Sequence, residues 1–362
     1  MSVFSPPSKF DDFVYRHFRF IHALKLGFAL FIAALINAIW ALPHFVWSMV
    51  TIVIIMMSLP QLGGALEKSL QRAVGTCLGS AYGVLLIATF HNYWVIMALL
   101  IVAVSLICFI SAGRYSYAYL VSGFTIIIVI GDANQATSEA IWRMTNILMG
   151  CLIAILVSLF VLPIKAKQDW RYQLAKSFAT MANVLNAHFH HHKNDDIDNR
   201  KQLETIMKAV LTQKKLFFSL DWESQTLKHN KNLISQLAQE QVRAVTLLEL
   251  LMQTHWNDDH SGFDKVNVIA EKLISNLSML NEFTSGKREF LLPMQELKGM
   301  DFHEELLTAL DLKKQQEFNL TGYTWVIDQL GKTIEAMYLE VNMINQAYIR
   351  KKEQDKLIIK LD

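Results

Sequence analysis

The sequence predicts an all-α protein in two parts: a six-helix transmembrane domain over residues 1–167 and a cytoplasmic helical domain over residues 168–362. Two long uncharged runs and a lopsided distribution of charge carry the first part. Apolar residues at three- and four-residue intervals carry the second. Leu26 to Leu66 and Ala73 to Gly113 each run 41 residues without Asp, Glu, Lys or Arg. About 20 helical residues cross a hydrocarbon core of roughly 30 Å, so each run crosses, turns and crosses back. Runs of that length have no ordinary place in a water-soluble fold. Of the 66 charged residues in the chain, only 13 precede Lys165, which sets the boundary between the two parts.

The first span reads from His22 to Ala41, stopped by Pro43, and the second from His44 to Leu59, stopped by Pro60. The second is short, about 24 Å at 1.5 Å per residue. Short, Pro-interrupted spans line cavities in transporters; equally, Pro60 with Gly63 and Gly64 would simply end a helix at the interface. The third span carries Gly75, Gly79 and Gly83 with Thr76 and Ser80 beside them. Such a stripe lets a second helix approach closely, or leaves room for a flat ligand along a path. The fourth span closes the second uncharged run. A weaker pair follows: Tyr115 to Gly131 is uncharged, Asp132, Glu139 and Arg143 interrupt, and Met144 to Ile164 is uncharged again.

Charge then orients the spans. Lys9, Arg16, Arg19, Lys25, Lys68, Arg72, Arg114, Lys165, Lys167 and Arg171 all fall on one side, while the opposite turns near Leu42 to His44 and His91 to Tyr93 carry no Lys or Arg. The positive-inside rule places both termini in the cytoplasm, and Trp40, Trp47, Tyr93 and Trp94 at the outer interface agree with it. Met1 to Lys25 lacks the short apolar stretch of a cleavable signal, so the first span is expected to be retained. Cys77, Cys108 and Cys151 all fall inside spans and read as small apolar residues rather than a disulfide framework.

Beyond Gln168, helices are predicted over Trp170–His190, Lys201–Leu227, Leu233–Trp256, Val266–Leu280, Phe302–Leu312 and Tyr323–Tyr348, with Ser285–Gly286 a helix stop. From Lys165 onward, 26 basic residues stand against 27 acidic ones, so there is no basic field for nucleic acid. His188, His190, His191 and His192 read as a solvated helix end rather than a metal site with convergent geometry. No phosphate-binding loop, catalytic set or metal-ligand spacing is present, which argues against an enzyme or an ATP-driven pump and implies no cofactor.

Leu42-Pro43-His44 through Trp47, Pro60-Gln61-Leu62-Gly63-Gly64, and Arg72-Ala73-Val74-Gly75-Thr76-Cys77-Leu78-Gly79 with Gly83 resemble the membrane module of the fusaric acid resistance and aromatic acid exporter family. Gly113-Arg114 with Tyr117-Ala118, then Arg143 before Asn146 and Gly150, with Pro163 last, continue the pattern over roughly the first 165 residues. The plant aluminium-activated malate transporters are more distantly similar. The resemblance implies proton-driven export of hydrophobic or aromatic carboxylic acids across the bacterial inner membrane, in some members with a periplasmic adaptor protein. Many bacterial members carry the six-span module twice; here it occurs once, so a homo-oligomer, most simply a twofold dimer, is expected.

An organic anion wants cationic or dipolar partners, and ionisable residues at membrane depth are suspected of function. Arg72, Arg114 and Arg143 are the cationic candidates for the substrate path, with Gly75, Thr76 and Gly79 beside Arg72. Each arginine has an alternative role, snorkelling to the headgroups and fixing orientation. For proton coupling the candidates are Glu67 at the inner mouth and Asp132 at the outer one; His22, His44 and His91 lie near span ends, where a lone His more often serves as a hydrogen-bonded polar tip than as a proton carrier. The scarcity of carboxylates leaves a passive organic-anion pathway open, and a non-transporting membrane scaffold that docks a partner is the rival from another class.

Overall fold

The computed structural model describes residues 3–6, 8–58, 61–131, 137–190, 196–253, 263–295 and 318–359. Asp132, Pro60, His191, His192 and the helix expected over Phe302–Leu312 lie outside the described residues. The chain forms two compact units, Asp11–Ala166 and Met1–Phe10 with Lys167–Asp362. All regular structure among the described residues is helical.

After a short helix α1 (Lys9–Arg16), the first unit runs α2 (Phe18–Trp40), α3 (Val46–Ser58), α4 (Leu62–Thr89), α5 (Tyr93–Ile110), α6 (Ser116–Gly131) and α7 (Thr137–Phe160). Five of these are long and apolar enough to cross a membrane, α6 when taken with the 3-10 turn Gly113–Tyr115 that leads into it, and α3 is a shorter apolar sixth. Its 13 residues rise about 20 Å, less than a hydrocarbon core. It begins later than expected because Ala41 and His44 turn the chain with φ of 44° and 57°, which keeps Leu42 to Phe45 out of helix. Its last described residue is Ser58.

α4 corrects the sequence reading. Lys68 and Arg72 were expected in the connection between spans, but the helix starts at Leu62 and runs 28 residues, placing Glu67, Lys68 and Arg72 inside it. Gly63 and Gly64 do not stop it. A helical glycine costs only about 1 kcal/mol against Ala, and both are buried. The Leu62 N–H donates to the Ile164 carbonyl at 3.1 Å, which satisfies one of the four unpaired donors at a helix start.

Two parallel helix pairs make the core of this unit. Along α4 and α6, Gly75 meets Ala118, Gly79 meets Ser122 and Thr125, and Gly83 meets Val129. A Cβ at Gly75 would collide with the Ala118 carbonyl, and one at Gly79 would stand 2.6 Å from the Ser122 carbonyl oxygen. Along α3 and α7, a Cβ at Gly150 would stand 2.6 Å from the Ser48 carbonyl oxygen. Asn146 donates to the Pro43 carbonyl at 2.8 Å. Ala29, Ala33, Ile52, Ile55, Ile147, Cys151 and Ala154 fill the space among α2, α3 and α7. α5 packs on α6 at the edge, its apolar residues largely exposed.

The second unit comprises α8 (Ala166–His190), α9 (Asp196–Glu223), α10 (Gln225–His229), α11 (Lys231–Gln253), α12 (Phe263–Ser285) and α13 (Phe318–Ile359). The single helix expected over Lys201–Leu227 is broken at Ser224, whose hydroxyl accepts from the Leu227 N–H at 3.4 Å and restarts the chain as α10. α12 stops at Ser285, with Gly286 at φ 80°. α11 packs on α9 and α13. Inside, Ser177 of α8, Gln213 of α9 and Gln241 of α11 are tied by hydrogen bonds of 2.6 to 3.1 Å. His188 contacts Tyr323, 3.4 Å between its Nε2 and the hydroxyl.

The start of the chain belongs with this second unit. Phe4 is fully buried, its ring 5.9 Å from Trp170 and 5.1 Å from Phe283. Arg171 donates to the carbonyls of Ser5, Phe4 and Thr284 at 2.6, 2.9 and 3.3 Å. Burial brings its pKa down to about 10, so it stays cationic at neutral pH.

Two consequences are testable. Gly79→Ala should destabilise the membrane unit by about 1–3 kcal/mol and Gly79→Leu should prevent its assembly, whereas Gly27→Ala, with open space around it, should cost nothing; thermal unfolding in detergent measures all three. In the second unit, burial, and then the nearby Glu240 carboxylate, push the Glu340 carboxyl up from 4.5 to about 7. The folded state then holds a proton that the unfolded chain releases, so stability falls as pH rises from 4.5 through about 7. Glu340→Gln should raise the melting temperature at about pH 8 and leave it unchanged at about pH 4.

Candidate functional site

Residues three and four apart share a helix face, and on α4 this arithmetic sorts two stripes. Gly75, Gly79 and Gly83 meet α6. Ser69, Arg72, Thr76 and Ser80 form the neighbouring stripe, all buried. Side chains on a helix lean toward its N-terminus, so Arg72 reaches back along α4 from its eleventh position. There its Nε donates to the Thr51 hydroxyl of α3 at 3.2 Å and its Nη1 to the Tyr117 hydroxyl of α6 at 3.2 Å. Arg72 is 5 % exposed.

Both acceptors are neutral. Among the described residues no carboxylate pairs with Arg72. The Lys68 ammonium stands 4.0 Å from the centroid of the Tyr117 ring, so this tyrosine is contacted by two cations. One turn further toward the start of α4, Glu67 takes a hydrogen bond from Arg114 at 3.0 Å and one from Gln71 at 3.2 Å. Gln71 also donates to the Arg114 carbonyl at 3.1 Å. Among these residues Lys68, Arg72 and Arg114 supply three positive charges and Glu67 one negative, which Arg114 already engages.

A guanidinium has five N–H donors and matches a carboxylate with two parallel bonds. Thr51 and Tyr117 occupy two donors and hold the group in place without cancelling its charge. Along the same stripe, the hydroxyls of Ser69 and Thr76, and that of Ser48 on α3, are buried with no hydrogen-bond partner among the described residues. Lipid offers no replacement for such bonds. The arrangement is a polar seam that contains a guanidinium with donors to spare, a chemistry that could meet water or an anionic ligand.

The structure brings Arg72, Arg114, Glu67 and Thr76 to this seam or its mouth. It turns Gly75 and Gly79 toward α6, whose backbone fills the space beside them. Arg143 stands apart, at the start of α7, 5.2 Å over the Trp47 ring, and nearby His44 and Glu139 approach to 3.8 Å. Thr51, Tyr117 and Ser69 were missed by the sequence reading. A Ser48–Thr51 pair one turn apart in an otherwise apolar helix was the available signal. Lys25, read only as one of the charges on the inner side, lies inside α2, 1 % exposed, bonded to the Ser158 carbonyl at 3.4 Å in the last turn of α7, where a cation caps unpaired carbonyls.

Comparison with known proteins extends beyond this seam. The inner membrane protein YeeA of Escherichia coli K12 is 27 % identical over 344 residues, 91 % of this chain and 95 % of its own length. Aluminum-activated malate transporters 2 and 1 of Arabidopsis thaliana are each 27 % identical over 54 % of this chain. The chain spans 44 % and 45 % of the lengths of those two. The model of the fusaric acid resistance protein family matches residues 19–337, both units included. With its apolar helices and a match of that extent, the chain is a membrane protein and belongs to the fusaric acid resistance protein family.

Proposed function

We propose that the chain is a subunit of an efflux transporter in the bacterial inner membrane that exports hydrophobic or aromatic carboxylic acids, with both termini in the cytoplasm and the proton gradient as driving force. The observation that carries this reading is Arg72, buried beside two neutral hydroxyls and, among the described residues, with no carboxylate partner. A permanent cation in that setting is costly unless an anion comes to it. The resemblance of the membrane module to aromatic acid exporters and the malate named in the plant relatives both point to organic anions.

On this reading the acid enters from the cytoplasmic side, where α4 begins. Lys68 and Arg114 attract it, Arg72 takes its carboxylate beside the Ser69 hydroxyl, and the Thr76 and Ser80 hydroxyls replace its hydration further along α4. A twofold dimer would supply the second six-span module, and a periplasmic adaptor could continue the route. A passive organic-anion pathway is the second reading. The engagement of Glu67 by Arg114 and Gln71 favours it, because the carboxylate described beside the seam is already committed to structural hydrogen bonds.

Arg72→Gln should therefore lose most weak-acid flux in vesicles, normalised to correctly inserted protein. Arg72→Lys should retain a minor part, since an ammonium keeps the charge but not the two-pronged geometry. Normal normalised flux in Arg72→Gln would remove Arg72 from the path. Flux lost equally with and without a pH gradient would support the passive pathway over the coupled one.

A further inference from the structure

The last three turns of α9 carry an exposed aromatic and cationic stripe. Leu211, Phe218 and Trp222 expose 51, 40 and 47 % of their surfaces. With Lys215 they stand at four- and three-residue steps, hence on one face, and exposed Lys214 flanks it. Lys231, at the start of α11, holds its ammonium 5.6 Å from the Phe218 ring centroid and 3.5 Å from Asp221. Lys228 on α10 is exposed in the same stretch of chain. Toward the other end of α9 the same face turns to Glu204 and Lys208, ion-paired at 3.2 Å.

Chain connectivity limits how far the aromatic end of α9 can lie from the end of α7. The Lys167 N–H donates to the Glu223 carboxylate at 3.3 Å, which fixes the end of α9 at the start of α8. Lys167 is seven residues beyond Phe160, the last residue of α7, a reach of at most about 25 Å. The opposite end of α9, 28 residues away along the helix, lies about 40 Å off.

We infer that Leu211 to Trp222 rests on the membrane surface, with Phe218 and Trp222 at the boundary of headgroups and acyl chains and Lys214 and Lys215 on the phosphates of anionic phospholipid. Trp at that depth keeps its apolar ring in lipid and its N–H in the polar layer, and lysines are drawn to anionic headgroups. A second copy of the chain fits the stripe less well. Three apolar residues offer far less than the area of a stable interface, and a twofold contact would bring Lys214 and Lys215 against their own copies. This inference does not depend on what the membrane unit carries.

The test uses the full chain in liposomes of phosphatidylcholine and phosphatidylglycerol, comparing the parent with Trp222→Phe so that the difference in emission belongs to Trp222. Acyl chains brominated near the headgroup should quench that difference by at least about twofold, while aqueous iodide leaves it unchanged. Lys214→Glu with Lys215→Glu should abolish the lipid quenching and admit iodide. Iodide quenching in the parent would overturn the inference by placing the stripe in water. Protection from both quenchers would overturn it in favour of a protein surface covering the stripe. Lipid quenching that survives the charge reversal would overturn the assignment to anionic headgroups.

Discussion

The backbone-to-backbone approach of α4 to α6 sets what the membrane unit can do. In lipid, hydrophobicity does not drive helices together, so association falls to close packing and polar contacts. Gly75, Gly79 and Gly83 remove the side chains that would hold α6 away. Once α6 lies that close, Tyr117 at its start reaches Arg72. Gly150 plays the same part for α3 and α7, and that contact brings Thr51 to the other side of Arg72. The glycines thus position the candidate site without lining it.

The electrostatic consequence is an arginine whose charge is oriented but not neutralised. A pair with Glu67 would have made Arg72 a structural ion pair. The chain instead gives Glu67 to Arg114 and Gln71, and leaves Arg72 with two hydroxyls. The buried hydroxyls of Ser48, Ser69 and Thr76 add groups that a dry helix interface would not favour. A scaffold whose membrane part serves only as an anchor has no use for these groups.

Much of this was legible in the sequence. The uncharged runs marked the apolar helices, the four-residue glycine interval marked a packing stripe, and Ser285-Gly286 marked the end of α12. Three things were not legible. Lys68 and Arg72 were placed in the connection between spans because their charge was weighed without the burial and hydrogen bonds that hold them, with Glu67, inside α4. The first residues of the chain were grouped with the membrane part, because nothing local shows that Phe4 packs between Trp170 and Phe283. Thr51 and Tyr117 lie 21 and 45 positions from Arg72, a proximity that helix periodicity does not encode.

The central claim is that the stripe of Ser69, Arg72, Thr76 and Ser80 is a route for water and substrate, not a dry contact. It is tested most directly by a cysteine at Thr76, in a chain whose Cys77, Cys108 and Cys151 are replaced by alanine. The account predicts that a membrane-impermeant thiol reagent supplied on the side where α4 begins modifies this cysteine in intact, folded protein, and that an aromatic carboxylate slows the modification. A cysteine that reacts only after denaturation would contradict the account.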